Sequence, residues 1–262
     1  MKRRNFIAGV GTLAAAPAIS FADTQKKQDE NRQYIEWIKY ILPLGSNKGR
    51  VEKYYKDAAI PALNKMGIKN IGVFNVQFGL NEPTLFVLIP HDSMDSVLTY
   101  EAKLMKDETY VKASVDFHDS DISNPAYVRV EKGLMHAFRD CSKVESSKAT
   151  MGDDRIFELR IYESHNYKKG QKKISMFNDG GEIATFRQTG LTPVFFGETV
   201  FGPMMPNLTY MLVFKNTDEQ KKAWDKFRDH PDWIAIKDLE EYKDTVSNIS
   251  DIILRPAGCS QL

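Results

Sequence analysis

The sequence predicts an α+β fold: two tandem ferredoxin-like units that pair their sheets within one chain. Three observations carry this. Glu36-Trp37-Ile38-Lys39-Tyr40 returns as Glu158-Leu159-Arg160-Ile161-Tyr162, and an offset of about 122 residues brings much of the remainder into register. Each copy reads strand, helix, strand, strand, helix, strand, the split βαβ order. The strands alternate in polarity, so each presents one apolar and one mixed face.

In the first copy Tyr34 to Ile41 is a strand, ended by Pro43. Lys48 to Met66 has helical spacing through Val51, Tyr54, Tyr55, Ala58, Ala59 and Leu63. Pro61 should bend or break it, and Gly67 stops it. Ile68 to Phe78 and Thr84 to Ile89 are strands joined by Gly79-Leu80-Asn81-Glu82-Pro83. Ser93 caps a helix through Val97, Leu98, Leu104 and Met105. A short helix covers Tyr110 to Val115, and Ala126 to Ala137 closes the copy. In the second copy Arg155 to Tyr162 is a strand and Lys168 to Gln188 a helix ending at Gly190. Thr192 to Phe201 and Asn207 to Lys215 are strands. Thr217-Asp218-Glu219-Gln220 reads as a capping box opening a helix with Ala223, Trp224 and Phe227. A further helix runs from about Pro231 to Tyr242, and Ile249 to Arg255 is the last strand. The domains are therefore 34–140 and 155–262, with polar linkers at 23–33 and 141–154.

The N-terminus reads as an export signal. Lys2, Arg3 and Arg4 precede a short apolar run from Phe6 to Ala16, and small residues offer cleavage after Ala18 or Ala22. Arg3-Arg4-Asn5-Phe6-Ile7 has the twin-arginine form, so residues 1–22 are expected to direct the chain to the periplasm or otherwise outside the cytoplasm. Cleavage after Ala22 takes the formal charge from +1 to −2. That balance gives nothing to neutralise phosphates, so nucleic acid is not an expected partner. No segment after the signal is apolar enough to span a membrane. The two cysteines, Cys141 and Cys259, are compatible with one bridge in an oxidising compartment or with two free thiols.

Helix packing requires a dry sheet face. The apolar face (Phe157, Leu159 and Ile161; Ile35, Trp37 and Ile41) is accordingly expected under the helices. The mixed faces (Glu158, Arg160 and Tyr162; Glu36, Ile38 and Tyr40) would then press together as the interior of a barrel. Two readings of that interior stay open. One is a self-satisfied ionic network of Glu36, Glu158, Arg160, Arg129 and Arg255. The other is a cavity whose ligand is held by Tyr40, Arg160, Phe196 and Tyr210, with Glu158, Tyr162 and His165 as candidate acid/base groups. His230 before Pro231 suits a helix cap, and Glu182, after Gly180-Gly181, is expected at the surface by default, with a carboxylate pointed towards the cavity as the alternative. His118-Asp119-Ser120-Asp121 lacks a spaced partner, so no metal site is predicted. The Met204-Met205-Pro206 turn is a candidate cover for the cavity mouth or an oligomer contact. No motif names a reaction.

Four segments together resemble the NIPSNAP domain: Glu158 to Tyr162, Asn207-Leu208-Thr209-Tyr210-Met211-Leu212, Ala223-Trp224-Asp225-Lys226-Phe227, and Asp232-Trp233. The resemblance spans about Arg155 to Pro256 and is fainter over Tyr34 to Ala137, where Tyr110 stands in for Trp233. It implies a dimeric α/β-barrel fold, here formed within one chain, and leaves room for a homo-oligomer. It brings no secure activity, because relatives by fold include cofactor-independent monooxygenases, haem proteins and plain binding proteins. The expected function is binding of a small, partly apolar ligand or of a partner. The alternative is a monooxygenase- or isomerase-like enzyme acting on an aromatic or carbonyl compound. No cofactor is predicted, with haem left open.

Overall fold

The computed structural model describes residues 31–43, 45, 48–78 and 83–262. The export signal, most of the 23–33 linker and most of the 79–83 connection lie outside the described residues. The first unit holds β1 (Tyr34–Ile41), α1 (Gly49–Tyr54), α2 (Ile60–Lys65), β2 (Gly72–Phe78), β3 (Thr84–His91), α3 (Met94–Leu104), α4 (Glu108–His118) and β4 (Arg129–Ala137). A short α5 (Lys148–Met151) precedes the second unit. That unit holds β5 (Ile156–Glu163), α6 (Tyr167–Asn178), α7 (Glu182–Thr189), β6 (Thr192–Phe201), β7 (Asn207–Phe214), α8 (Thr217–Arg228), α9 (Pro231–Lys237) and β8 (Asn248–Pro256).

Local chemistry sets the helix boundaries. Ser93, Asp107 and Asn166 cap α3, α4 and α6 through side-chain oxygens that accept first-turn N–H groups. For α8 the cap is Asn216, which accepts from Glu219 N, so the expected Thr217 box sits one residue late. His230 caps α9 as its sequence position suggested. Pro61 does not break its helix. It has no N–H to give, and the chain instead widens into a π turn over Tyr55–Ala59 between α1 and α2. The single helix expected over 168–188 is two helices. Gly181 adopts φ +78°, and a Cβ on Gly180 would lie 2.6 Å from the Met176 carbonyl oxygen, so the break depends on both glycines.

The eight strands close into one barrel in the order β1-β3-β2-β8-β5-β7-β6-β4. Each unit supplies four adjacent strands, and antiparallel seams β2·β8 and β4·β6 join them. In β7, Tyr210 stands opposite Arg160 as Val87 stands opposite Ile38. Tyr210 therefore corresponds to Val87, an offset of 123 residues.

The faces are the reverse of the expected ones. Phe157, Leu159, Ile35 and Trp37 point into the barrel with Phe74, Phe86, Phe195 and Met211, and side chains from both units form one core. Glu36, Tyr40, Glu158, Arg160 and Tyr162 lie outside, beneath the helices. The physical reason is partner supply. An eight-stranded barrel is just wide enough for side chains to fill, or for one small ligand, so its interior is the drier compartment. Helices can present hydrogen-bond donors to a buried carboxylate, as Tyr100 of α3 and Trp224 of α8 do.

The linker is less free than its composition suggested. Val144 is buried in the barrel core and Met151 packs against it. Leu262 joins that core, and its carbonyl oxygen accepts from Arg155 Nη2 at 2.6 Å. Both cysteines are free thiols. Cys141 belongs to the second unit's core, where burial pushes its thiol up to about 12, and Cys259 packs against the first unit's core.

Candidate functional site

The repeat places one carboxylate in each unit at the same station, and helix donors meet both. Tyr100 Oη donates to Glu36 Oε2 at 2.7 Å, and Trp224 Nε1 donates to Glu158 Oε2 at 2.7 Å. The surroundings then diverge. Lys132 Nζ lies 2.9 Å from Glu36 Oε1, and His91 Nε2 lies 3.7 Å from Oε2. Burial alone would raise the Glu36 carboxyl, but His91, Lys132 and Tyr100 outweigh it and hold the group below its ordinary value. Glu158 goes the other way. Burial and then Asp251 raise it, against the pull of Gln220, Trp224 and Arg160. Of the ionic network weighed from sequence, only Glu158 and Arg160 meet, at 3.5 Å. Arg255 instead reaches the Asp154 carbonyl oxygen, and Glu36 is matched by Lys132.

A cleft of about 390 Å³ opens between the sheet and helices of the second unit. Arg160 lies along it, with its guanidinium carbon 4.7 Å from the Trp224 ring centre and 5.6 Å from that of Tyr162. Its ion-pair contacts, to Glu158 and Asp251, are both 3.5 Å from Nε, and Nε makes no hydrogen bond. Burial would lower the guanidinium's affinity for its proton, but Tyr210, Tyr162, Asp251 and Glu158 raise it, so the charge is permanent. Across the cleft Lys173 pairs with Glu182 at 2.7 Å and stands 5.8 Å from the Trp233 ring centre. Glu182 is thus buried rather than at the surface; its burial raises the carboxyl despite Lys173. Arg228 and Lys237 complete a predominantly cationic, aromatic lining.

The other sequence candidates fall in different places. Tyr162 lines the cleft and shares a 3.0 Å hydroxyl contact with Tyr210. Tyr210 and Phe196 stack at 5.0 Å in the fully buried core and do not reach the cleft lining. Tyr40 belongs to the first unit's cleft, about 330 Å³, where its hydroxyl meets that of Tyr55 at 2.8 Å. His165 sits in the exposed bend after β5 and makes no hydrogen bond or ion pair among the described residues. Glu158, Tyr162 and His165 are therefore not gathered around one reacting position. Among the described residues no group of three or more His, Cys, Asp or Glu could hold a metal ion. No described helix is long and apolar enough to cross a membrane.

The barrel itself carries a third and larger cavity, about 620 Å³, at the end where Lys39, Glu131, Asn207 and Asn248 lie. Its walls are the inward faces of both units, and Met204 of the β6–β7 connection borders it, as the sequence suggested for that turn. The side chains expected to line a barrel cavity, Tyr40, Arg160, Phe196 and Tyr210, are absent from it because they face the helices.

The NIPSNAP family profile matches residues 35–125 and 157–261, so both copies of the repeat are covered. The chain belongs to the NIPSNAP family. Its fold is also that of two candidate monooxygenases, from Fusobacterium nucleatum (TM-score 0.56, 10% identity, 86% of this chain and 92% of that chain) and Lactobacillus acidophilus (TM-score 0.58, 10% identity, 86% and 94%). A NIPSNAP family protein of Agrobacterium tumefaciens aligns with 41% of this chain and 98% of its own length, at 20% identity and TM-score 0.36. No curated protein sequence matches. The two NIPSNAP copies have diverged at the site: Ile38 occupies the station of Arg160, and the first cleft takes its strand-borne cation, Lys132, from β4 instead. Sequence reasoning missed Lys173, Gln220 and Trp224 as members of this site. Gln220 and Trp224 were findable, since their four-residue spacing puts both on one face of α8, and both donate to Glu158 Oε2 at 2.7 Å.

Proposed function

We propose that this NIPSNAP protein is a small-molecule binding protein whose second-unit cleft takes a planar, anionic, partly apolar ligand of the aromatic carboxylate class. One observation carries the reading: the Arg160 guanidinium is held between Trp224 and Tyr162 while its N–H groups make no hydrogen bond to the protein among the described residues. A guanidinium presents a planar fork that matches a carboxylate, and the flanking rings suit a flat apolar body. An enzymatic role would need a substrate to reach Glu158. That residue is 1% exposed and its Oε2 already accepts from Gln220 and Trp224, which favours binding over catalysis. Export to the periplasm remains part of the proposal, on the signal character of residues 1–22 alone.

Calorimetric titration of the mature protein with 2-naphthoate tests it. Wild type is expected to bind, with neutral 2-naphthamide weaker. Arg160→Leu is expected to lose about tenfold or more in affinity, the scale of one charge-assisted hydrogen bond. Equal affinities for the acid and the amide, or an undiminished Arg160→Leu variant, would overturn the reading.

A further inference from the structure

We infer that the mouth of the barrel is a second ligand site, independent of the Arg160 cleft, and that it takes an uncharged apolar molecule bearing a hydrogen-bond acceptor, such as a ketone, ester or amide. The cavity is about 620 Å³, within the range of sites that enclose small organic ligands. Apolar side chains from around the barrel line much of it: Trp37, Phe86, Met135, Ile161, Ile252 and Met204. Trp37 stacks on Phe86 at 4.9 Å, which closes the floor against the filled lower barrel.

The polar groups decide the class of occupant. Each charged side chain in the lining already faces an opposite charge: Lys39 meets Glu131 at 3.2 Å, Lys132 meets Glu36 at 2.9 Å, and Asp251 meets Arg160 at 3.5 Å. No cation is left over to offset an anionic ligand, whose desolvation would then be uncompensated. Hydrogen-bond donors are left over. Lys39 is only 17% exposed and directs one hydrogen bond, to Glu131, although an ammonium carries three N–H groups. Ser250 makes no hydrogen bond through its hydroxyl among the described residues. Thr199 and Thr209, by contrast, are committed to Asn207, which in turn holds the Pro203 and Met204 carbonyls. An acceptor on the ligand would thus meet Lys39 and Ser250, with its apolar body against Trp37 and Ile252.

The chain's three tryptophans make the test direct, because Trp224 and Trp233 line the other cleft and Trp37 lines this one. In a Trp224→Phe/Trp233→Phe background, Trp37 fluorescence is titrated with 2-decanone and, separately, with decanoate. The ketone is expected to change Trp37 emission saturably, with decanoate at least about tenfold weaker for want of a countercharge. Ser250→Phe, which fills the cavity and removes a donor, is expected to weaken the ketone by about tenfold or more. Circular dichroism confirms folding of each variant, and calorimetry of 2-decanone with the intact protein and with Lys39→Met supplies a readout free of the tryptophan changes, Lys39→Met being expected to bind more weakly. No saturable ketone binding, decanoate as tight as the ketone, or affinity unaltered in both Ser250→Phe and Lys39→Met would overturn the assignment. 2-Naphthoate titrations of the intact protein and Arg160→Leu read the other cleft, so the two proposals fail separately.

Discussion

Replacing Glu158 with alanine is expected to destabilise the protein by about 3–5 kcal/mol, the range for removing one partner of a buried charged cluster. The substitution takes away the acceptor of both Trp224 Nε1 and Gln220 Nε2 and one of the two carboxylates beside Arg160. Glu158→Gln keeps an acceptor at the same place and is expected to cost much less. Chemical denaturation followed by circular dichroism measures both. The two related carboxylates should also respond to pH with opposite signs. Folding raises Glu158 above its ordinary 4.5, so the stability linked to it is fully present below that value and is lost as pH rises through the folded value. Folding lowers Glu36, so its contribution is present above 4.5 and is lost as pH falls through the folded value. The penalty of Glu158→Gln should therefore shrink, and that of Glu36→Gln grow, as pH rises from about 4 to 7.

Phe74→Ala is expected to cost about 3–5 kcal/mol, the usual range for emptying a buried phenylalanine site. Phe74 is fully buried inside the barrel, and its ring stands 4.9 Å from that of Phe157 and 6.5 Å from that of Trp37. A Cβ added at Gly72 would already press on the Phe74 ring at 2.4 Å, so the chain beside the ring is tightly fitted. Phe157 comes from the other copy of the repeat, so the loss should lower the stability of both units together rather than of the first alone. Loss of near-ultraviolet dichroism and of far-ultraviolet dichroism should then coincide in one transition.

Repetition made the architecture legible in the sequence. Glu36 to Tyr40 and Glu158 to Tyr162 announce two copies, and alternation, prolines and glycines locate most of the strands and helices. The family resemblance follows from the same segments. Facing did not follow from the pattern. Glu158 and Arg160 on one side of a strand look like a reason to keep helices away, because a strand read alone does not show which helix will deliver donors. The donors are Trp224 and Gln220, some 60 residues downstream. The pairing of Lys173 with Glu182 was hidden for a related reason. They are nine residues apart on a segment that reads as one helix, and only the break at Gly180-Gly181 folds α7 back so that they pair. Phe196 and Tyr210 are expected from the sequence to hold the ligand, but their mutual stacking in the core makes them the cleft's foundation rather than its lining. A barrel cavity was one of the two readings of the interior, while two of its actual wall residues, Trp37 and Ile161, had been assigned to the helix side.

A double-mutant cycle on Phe74 and Phe157, measured by reversible denaturation of the two single variants and the double variant, tests the inward-facing apolar sheets most directly. These rings come from different copies and touch only if both apolar faces enclose one barrel. The expected result is a coupling of about 0.5–1.5 kcal/mol, typical of an edge-to-face aromatic pair. Strict additivity of the two losses would mean that the rings lie in separate cores, and would contradict the shared interior.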